Sequence, residues 1–192
     1  MALITALMAP AGLMAQKVYK DAGRIILDMT VAAGMPADAV TSVSKRTAYA
    51  SFTPNASVLG TVDGVNNDQG HPINATVFQK LEIAPYDMNT SGEMTGSGTL
   101  TMPWANAFNN CRSSTHAGGN WRIPTQREVQ MMWIFRQGIE DFGSVFSSNN
   151  YWSAAEANAN SAWAIDFTLG VMNSTVSKTY NYRVRCVREV TP

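Results

Sequence analysis

Apolar and polar positions alternate in several short stretches of the chain, which is the pattern of β-strands with one buried face. In segment 162–167, for example, Trp163, Ile165 and Phe167 fall on the same face. Segment 24–31 is instead rich in β-branched and apolar residues, a composition that also favours a strand. Strands are predicted over residues 24–31, 76–84, 150–154, 162–167, 171–178 and 182–190.

A helical spacing of apolar residues begins at Trp104 and continues through Ala107, Phe108 and Cys111. These positions form one stripe on a helix of 3.6 residues per turn. Pro103 suits the start of this helix, because the amide hydrogen that it lacks would have no partner there. We therefore predict a first helix whose buried face includes Cys111.

A second helix is predicted to begin at Thr125. Glu128 follows three residues later, so each side chain can close one free amide of the new helix in a capping box. Val129, Met132 and Trp133 then give the helix its apolar face.

The last predicted strand, 182–190, alternates so that Tyr182, Val184 and Cys186 face the core. The opposite phase carries basic residues, which are interpreted as a solvated strand face. Arg183 and Arg185 lie in this phase, whereas Arg188, two positions after the second cysteine, falls in the phase of Cys186, so alternation splits the series between the two faces.

The chain contains two cysteines, Cys111 and Cys186, and both are predicted to point inward. A disulfide between them would close a loop of about 75 residues and stabilise the fold by roughly 4 kcal/mol in the chain-entropy description. Two buried free thiols are the alternative.

Charge excludes one class of function. Lysine plus arginine equals aspartate plus glutamate, at 14 each, and the longest basic run is Lys45-Arg46. A nucleic-acid-binding protein needs a basic surface to displace counterions, so no nucleic-acid partner is predicted. The two histidines, His71 and His116, lack the spacing of metal ligands, and we predict no metal and no cofactor.

The beginning of the chain suggests export. Residues 1–15 are uncharged and mostly apolar, and they resemble the hydrophobic part of a signal peptide cleaved near Ala15. A buried N-terminal helix is the alternative. A membrane span is not expected, because the run is too short to cross a bilayer comfortably. We expect a signal peptide at 1–15, a β/loop extension of unknown role at 16–73, and a ligand-binding domain at 74–192. The mature chain is expected to have no transmembrane span and to be exported to the cell surface or the extracellular space, with the periplasm as the alternative.

The C-terminal part carries a series of motifs that closely resembles one bacterial family. Over residues 76–190 the chain is similar to the C-terminal domain of Legionella collagen-like adhesins and related surface proteins of gut bacteria. The motifs are Trp104-Ala105-x-Ala107 with Cys111, then Gly119-x-Trp121-Arg122-Ile123-Pro124-Thr125-x-x-Glu128, then Tyr151-Trp152-Ser153-Ala154, Trp163, Phe167-x-x-Gly170, Lys178 and Arg183-Val184-Arg185-Cys186-Val187-Arg188.

This resemblance implies an α+β, C-type-lectin-like fold, here with a β-rich N-terminal extension. In that fold the first strand pairs with the last, and two helices flank a small twisted antiparallel sheet. A disulfide ties the first helix to the final strand, which implies the pair Cys111–Cys186. The motif around residues 121–128 is then structural: Trp121 packs, Pro124 ends a turn, and Thr125 with Glu128 caps the second helix.

The same resemblance implies an adhesin-like, non-enzymatic protein that recognises a glycan or a protein. The ligand face is predicted between the strand at Tyr151-Trp152 and the last strand, where amide, hydroxyl and aromatic side chains are frequent. The residues of this face are Glu156, Asn158, Asn160, Ser161, Asp166, Asn173, Ser174, Thr175, Ser177, Thr179, Tyr180 and Asn181. Because the acidic and amide triplets of calcium-dependent lectins do not occur, we predict binding without calcium.

Three alternatives remain open. The Asn-rich face is also similar to the variable region of proteins that retroelements diversify. A fimbrial or phage-fibre subunit is another interpretation, and it predicts homo-oligomers or fibres. The least favoured is an oxidase similar to formylglycine-generating enzymes, which requires reactive cysteines or clustered histidines.

Overall fold

The computed structural model describes residues 17–30, 80–157 and 160–190. The proposed signal peptide at 1–15 and most of the extension at 16–73 lie outside these residues. The strands are β1 (Val18–Asp21), β2 (Arg24–Asp28), β3 (Lys80–Ile83), β4 (Asn150–Glu156), β5 (Ser161–Asp166), β6 (Val171–Ser177) and β7 (Val187–Glu189). The helices are α1 (Trp104–Ser113), α2 (Gln126–Ile134) and the short α3 (Arg136–Glu140), with a 3₁₀ turn at His116–Gly118. The chain is thus α+β.

Over the described ranges, the first sheet has four antiparallel strands in the order β1-β2-β3-β7. Its two central strands pair with Ile25 opposite Ile83, and β3 then pairs with β7 with Leu81 opposite Glu189. The β1–β2 hairpin comes from the N-terminal extension and adds two strands to the β3–β7 pair. Among the described strands after residue 74, the first, β3, therefore pairs with the last, β7.

The second sheet has three antiparallel strands in the order β4-β5-β6. Both strand pairs contain a register shift, one between Trp152 and Glu156 and the other between Ala162 and Ala164. Such bulges increase the local twist and redirect side chains. Within the described residues, β6 pairs with β5 alone and is the edge strand of this sheet.

Two hydrophobic clusters lie on opposite sides of β4. Its neighbouring residues Tyr151 and Trp152 are both fully buried, and they belong to different clusters because successive strand residues point to opposite faces. The Trp152 cluster includes the apolar stripe of α1, and the Tyr151 cluster includes β2, β3 and α2.

The helices follow the predicted spacing, except that Trp133 in the apolar face of α2 is only half-buried. Trp104, Ala107, Phe108 and Cys111 form the buried face of α1. The capping box is present at the start of α2, where the Thr125 hydroxyl accepts from the Glu128 amide.

The last strand is shorter than predicted, because β7 covers only Val187–Glu189 and isolated bridges precede it. The expectation that Arg185 belongs to a solvated face is wrong, since this side chain is buried. Its guanidinium donates to the Asp87 carboxylate, the Ser144 hydroxyl and the Val145 carbonyl. A buried arginine is stable only when its donors are satisfied in this way.

Candidate functional site

The disulfide anchors the C-terminal segment to α1. Cys111 and Cys186 are bonded, with their Cα atoms 5.6 Å apart, and both residues are fully buried. Cys186 lies immediately before β7, so the link fixes the segment that leads into the last strand.

The motif at residues 121–128 provides a rigid corner beside this link. The Trp121 indole is buried and donates to the His116 carbonyl at 2.7 Å. The Glu128 carboxylate accepts hydrogen bonds from Nη1 and Nη2 of Arg122, at 2.7 and 2.8 Å. It also accepts from the Thr125 amide. A bidentate pair of this kind fixes orientation as well as charge. The structural roles of Trp121, Thr125 and Glu128 follow from these contacts.

Most residues of the predicted ligand face lie in or beside β5 and β6. Along β6 the exposed positions alternate, with Asn173 and Thr175 pointing to solvent and Val176 buried. Residues 179–181, just after β6, are also exposed. We name this surface the polar edge; its residues are Asn160, Ser161, Asn173, Ser174, Thr175, Ser177, Thr179, Tyr180 and Asn181. The predicted Asp166, at the far end of β5, is half-buried, and Asn158 lies outside the described residues.

Hydrogen bonds between residues two positions apart hold parts of the polar edge in one conformation. The Asn173 side-chain oxygen accepts from the amide and the hydroxyl of Thr175, at 2.9 and 3.0 Å. The hydroxyls of Ser177 and Thr179 lie 2.9 Å apart. Such local bonds reduce the entropy that a ligand would otherwise have to remove on binding.

Tyr180 connects the polar edge to the core. The residue is 56% exposed, and the centroid of its ring lies 6.1 Å from that of Tyr182. Tyr182 in turn packs 4.8 Å from the buried Trp152 ring. Burial raises the pKa of Tyr182 above the usual value of 10.0. Tyr180 is therefore an exposed aromatic surface on a fixed support.

Glu156 is a correction to the predicted face. Its side chain is 1% exposed and pairs with the equally buried Lys178 ammonium, so it lies beneath the polar edge. The Lys178 ammonium also lies 4.8 Å from the centroid of the Trp104 ring. Burial lowers the pKa of Lys178, and the Glu156 carboxylate opposes that change.

Sequence reasoning treated Lys178 as a family motif residue without a role. No pattern in the sequence distinguishes it from a solvated lysine, because its partner lies 22 residues away.

A second group of charges, around Asp87, was also missed. The Asp87 carboxylate accepts from Arg183 and Arg185, at 2.9 and 2.8 Å, and from the Tyr151 hydroxyl at 3.0 Å. Burial raises the pKa of Tyr151 far above its ordinary range, so the hydroxyl remains a donor. The separations of 96 and 98 residues between Asp87 and the arginines explain why periodicity gave no signal.

Within the described ranges, no group of three or more His, Cys, Asp or Glu side chains is arranged to hold a metal ion. The described helices are also all too short or too polar to cross a membrane. Both cysteines of the chain are bonded to each other, so neither is a free thiol.

The fold and its polar edge define a disulfide-linked α+β domain that presents amides and hydroxyls on a small antiparallel sheet. The model of the Lcl C-terminal domain family matches residues 84–188, which is more than half of the chain, and the chain belongs to this family. The family is adhesin-like and non-enzymatic, and it indicates a surface protein. No curated protein matches the chain.

Proposed function

We propose that this chain is an exported, adhesin-like protein of the bacterial cell surface that binds a glycan or a protein through the polar edge. Family membership supports the general class, and the polar edge supports the site. The β1–β2 hairpin lies outside the matched residues. It extends the first sheet and is not part of the proposed binding surface.

One observation carries the proposal: exposed polar side chains stand on a support that is built around a buried ion pair. Tyr180 and Asn181 are exposed, while the Lys178 between them and β6 is buried in its ion pair with Glu156. Such an arrangement holds flexible hydrogen-bonding groups and one aromatic ring in place, which suits recognition of a polar surface.

We further propose that the domain is C-type-lectin-like. The pairing of β3 with β7 and the disulfide from α1 to the residue before β7 support this assignment. Binding is expected without calcium, because no acidic and amide triplet of the calcium-dependent lectins is present in the sequence.

The oxidase alternative lacks support, because the chemistry would need a reactive thiol and both cysteines are bonded. Assembly into fibres is favoured by one feature, the edge position of β6, since an edge strand can pair with another chain. Retroelement diversification would make the polar edge variable between copies, and it stays a prediction.

The test is a glycan and protein array probed with the oxidised protein, with and without EDTA. The variant Tyr180→Ala/Asn181→Ala removes two exposed side chains of the polar edge. Asn106→Ala, at an exposed position of α1, is the matched control. We expect binding in the presence of EDTA and in the control variant. The affinity of the double variant is expected to be at least tenfold lower.

Equal binding by the double variant would place recognition elsewhere on the molecule. A folded protein that binds nothing on the array but forms concentration-dependent oligomers by light scattering would favour the fibre alternative.

A further inference from the structure

The charges around Asp87 do not balance. Two guanidinium groups, from Arg183 and Arg185, converge on this one buried carboxylate. The Tyr151 hydroxyl adds a third donor and no negative charge. These two arginines and Asp87 together therefore carry one excess positive charge. The group also has more hydrogen-bond donors than the Asp87 carboxylate can accept from.

The two arginines differ in how far they are satisfied. Arg185 is 1% exposed on its side chain, and each nitrogen of its guanidinium donates to a protein oxygen. Arg183 is 21% exposed on its side chain and donates to Asp87 through Nη1. Its Nε is buried and has no hydrogen-bond partner within the described part of the chain. Nε and Nη2 form the edge of a guanidinium that binds a carboxylate with two parallel hydrogen bonds.

Arg183 lines a cavity of about 220 Å³ together with Arg185 and Asp87. The remaining wall is mostly apolar and comes from two loops. Leu100 and the Tyr86 ring lie on one loop, and Val145 with the Phe146 ring on the other. None of the lining residues belongs to the polar edge.

The size of the cavity limits its ligand. Pockets for drug-sized molecules measure roughly 300–1,000 Å³, so this cavity suits a single residue and not a long chain. An uncompensated guanidinium edge suits an anion with two oxygens, and apolar walls favour a hydrocarbon body next to it.

We propose that this cavity binds a carboxylate on a small apolar body, specifically the C-terminal residue of a peptide or protein. The terminal carboxylate takes the free edge of Arg183, and its side chain packs against Leu100 and Val145. The bound anion cancels the excess charge around Asp87, and a small rotation of the Arg183 side chain would give the buried Nε an acceptor as well. Capture of a terminal carboxylate is a recurrent mode of peptide recognition. This inference does not rest on the polar edge, and either site can exist without the other.

An acidic side chain outside the lining, Glu140, contacts the backbone of a lining residue. The Glu140 carboxylate accepts from the Phe146 amide at 3.1 Å and is not part of the lining. Because the Glu140 carboxylate already accepts a hydrogen bond from the loop backbone, it takes no part in the proposed binding. The ligand carboxylate contacts Arg183.

The first measurement is an NMR titration of the oxidised protein with N-acetyl-leucine, following the backbone amides and the Arg183 Nε–H signal. N-acetyl-leucinamide is the matched ligand, because it has the same body and no charge. We expect N-acetyl-leucine to shift the Arg183 signal and to bind with a millimolar Kd, and the amide to bind at least tenfold more weakly. Equal affinity for both ligands would overturn the proposal.

Two variants at the rim test the charge without disturbing the fold. Val145 is 67% exposed, so Val145→Asp and Val145→Lys are expected to leave the protein folded. Both variants lose the same apolar contact and differ in charge, so the aspartate variant is expected to bind N-acetyl-leucine at least threefold more weakly than the lysine variant. Unchanged affinity in both variants would place the ligand outside the cavity. Arg183→Lys keeps the charge and removes the two-pronged edge, and it is expected to weaken binding at least tenfold.

A third ligand distinguishes the source of the carboxylate. N-acetylneuraminate is an acidic sugar with a carboxylate and a polar body. Binding of N-acetyl-leucine in preference to N-acetylneuraminate supports a chain end. The reverse preference contradicts the chain-end assignment and would assign the cavity to acidic sugars. Because the polar edge variant Tyr180→Ala/Asn181→Ala leaves the cavity intact, it is expected to bind N-acetyl-leucine normally.

Discussion

Two buried groups of charge in this domain differ in balance and in access. The Lys178–Glu156 pair has one cation and one anion, each 1% exposed, with the Trp104 ring against the ammonium. The group around Asp87 has two cations for one anion, and its Arg183 reaches both a cavity and solvent. The first group is closed to ligands and the second is open.

The comparison shows that burial of charge does not by itself mark a binding site. A balanced pair that is sealed from water supports the surface above it, and removing one partner leaves an uncompensated charge in the interior. An unbalanced group beside a cavity can accept a ligand charge at little structural cost. The polar edge depends on the first kind of group, and the proposed carboxylate site is the second kind.

The largest expected effect comes from the disulfide, because the C-terminal segment supplies the cations of both groups. Cys111→Ala/Cys186→Ala is expected to lower the free energy of unfolding by about 4.5 kcal/mol in the chain-entropy description of a 75-residue separation. Urea denaturation followed by tryptophan fluorescence measures it. A loss below about 1 kcal/mol would show that the two groups hold the segment without the link.

The closed group is tested next. Glu156→Gln leaves the buried Lys178 ammonium without its carboxylate and is expected to cost about 3 kcal/mol or more in urea denaturation. Glu156→Leu/Lys178→Met removes both charges and is the control, expected to recover most of that stability. If the double variant were as unstable as the single one, packing and not charge would explain the pair.

A third pair, Asp28 with Lys80, serves as a more exposed reference. Burial tends to raise the pKa of Asp28, but hydrogen bonds from Thr30 and the Lys80 ammonium outweigh it and hold the pKa below 3.8. The carboxylate therefore contributes stability above pH 3.8, and this contribution is lost as the pH falls through the folded pKa.

Asp28→Asn is expected to cost about 1 kcal/mol at pH 7, and the difference from wild type should shrink as the pH falls below 3.8. Urea denaturation at a series of pH values measures both quantities. A difference that is the same at pH 2 and pH 7 would show that hydrogen bonds, and not charge, account for the cost.

The smallest change in stability is expected at the open group. Arg183→Gln removes the excess positive charge but leaves Arg185 on the Asp87 carboxylate, so the cost should stay within about 1 kcal/mol. The same variant should lose at least tenfold in affinity for N-acetyl-leucine. A loss of stability as large as that of Glu156→Gln would show that Arg183 is a structural residue and would end the distinction between open and closed groups.

Much of the fold could be predicted from local patterns. The apolar stripe of α1, the capping box at Thr125 and Glu128, and strands β4 to β6 all follow from spacing over a few residues. Helix turns and strand alternation are local, so the sequence displays them directly. The resemblance added the pairing of Cys111 with Cys186, which spacing alone left open.

The polar groups of the interior could not be predicted in the same way. Glu156 was expected at the surface and Arg185 on a solvated strand, and both are buried. A charged residue in a strand has the same local signal whether it meets solvent or a partner. The outcome depends on a residue such as Asp87, 98 positions from Arg185.

The sequence by itself determined most helices and strands of the described residues, the family of the chain and its weakly charged character. Only the tertiary structure decided which polar residues form the polar edge, which lie sealed beneath it, and where an arginine faces a cavity. The physical reason is range: propensity and periodicity act over a few residues, whereas desolvation and charge pairing act between segments that folding brings together.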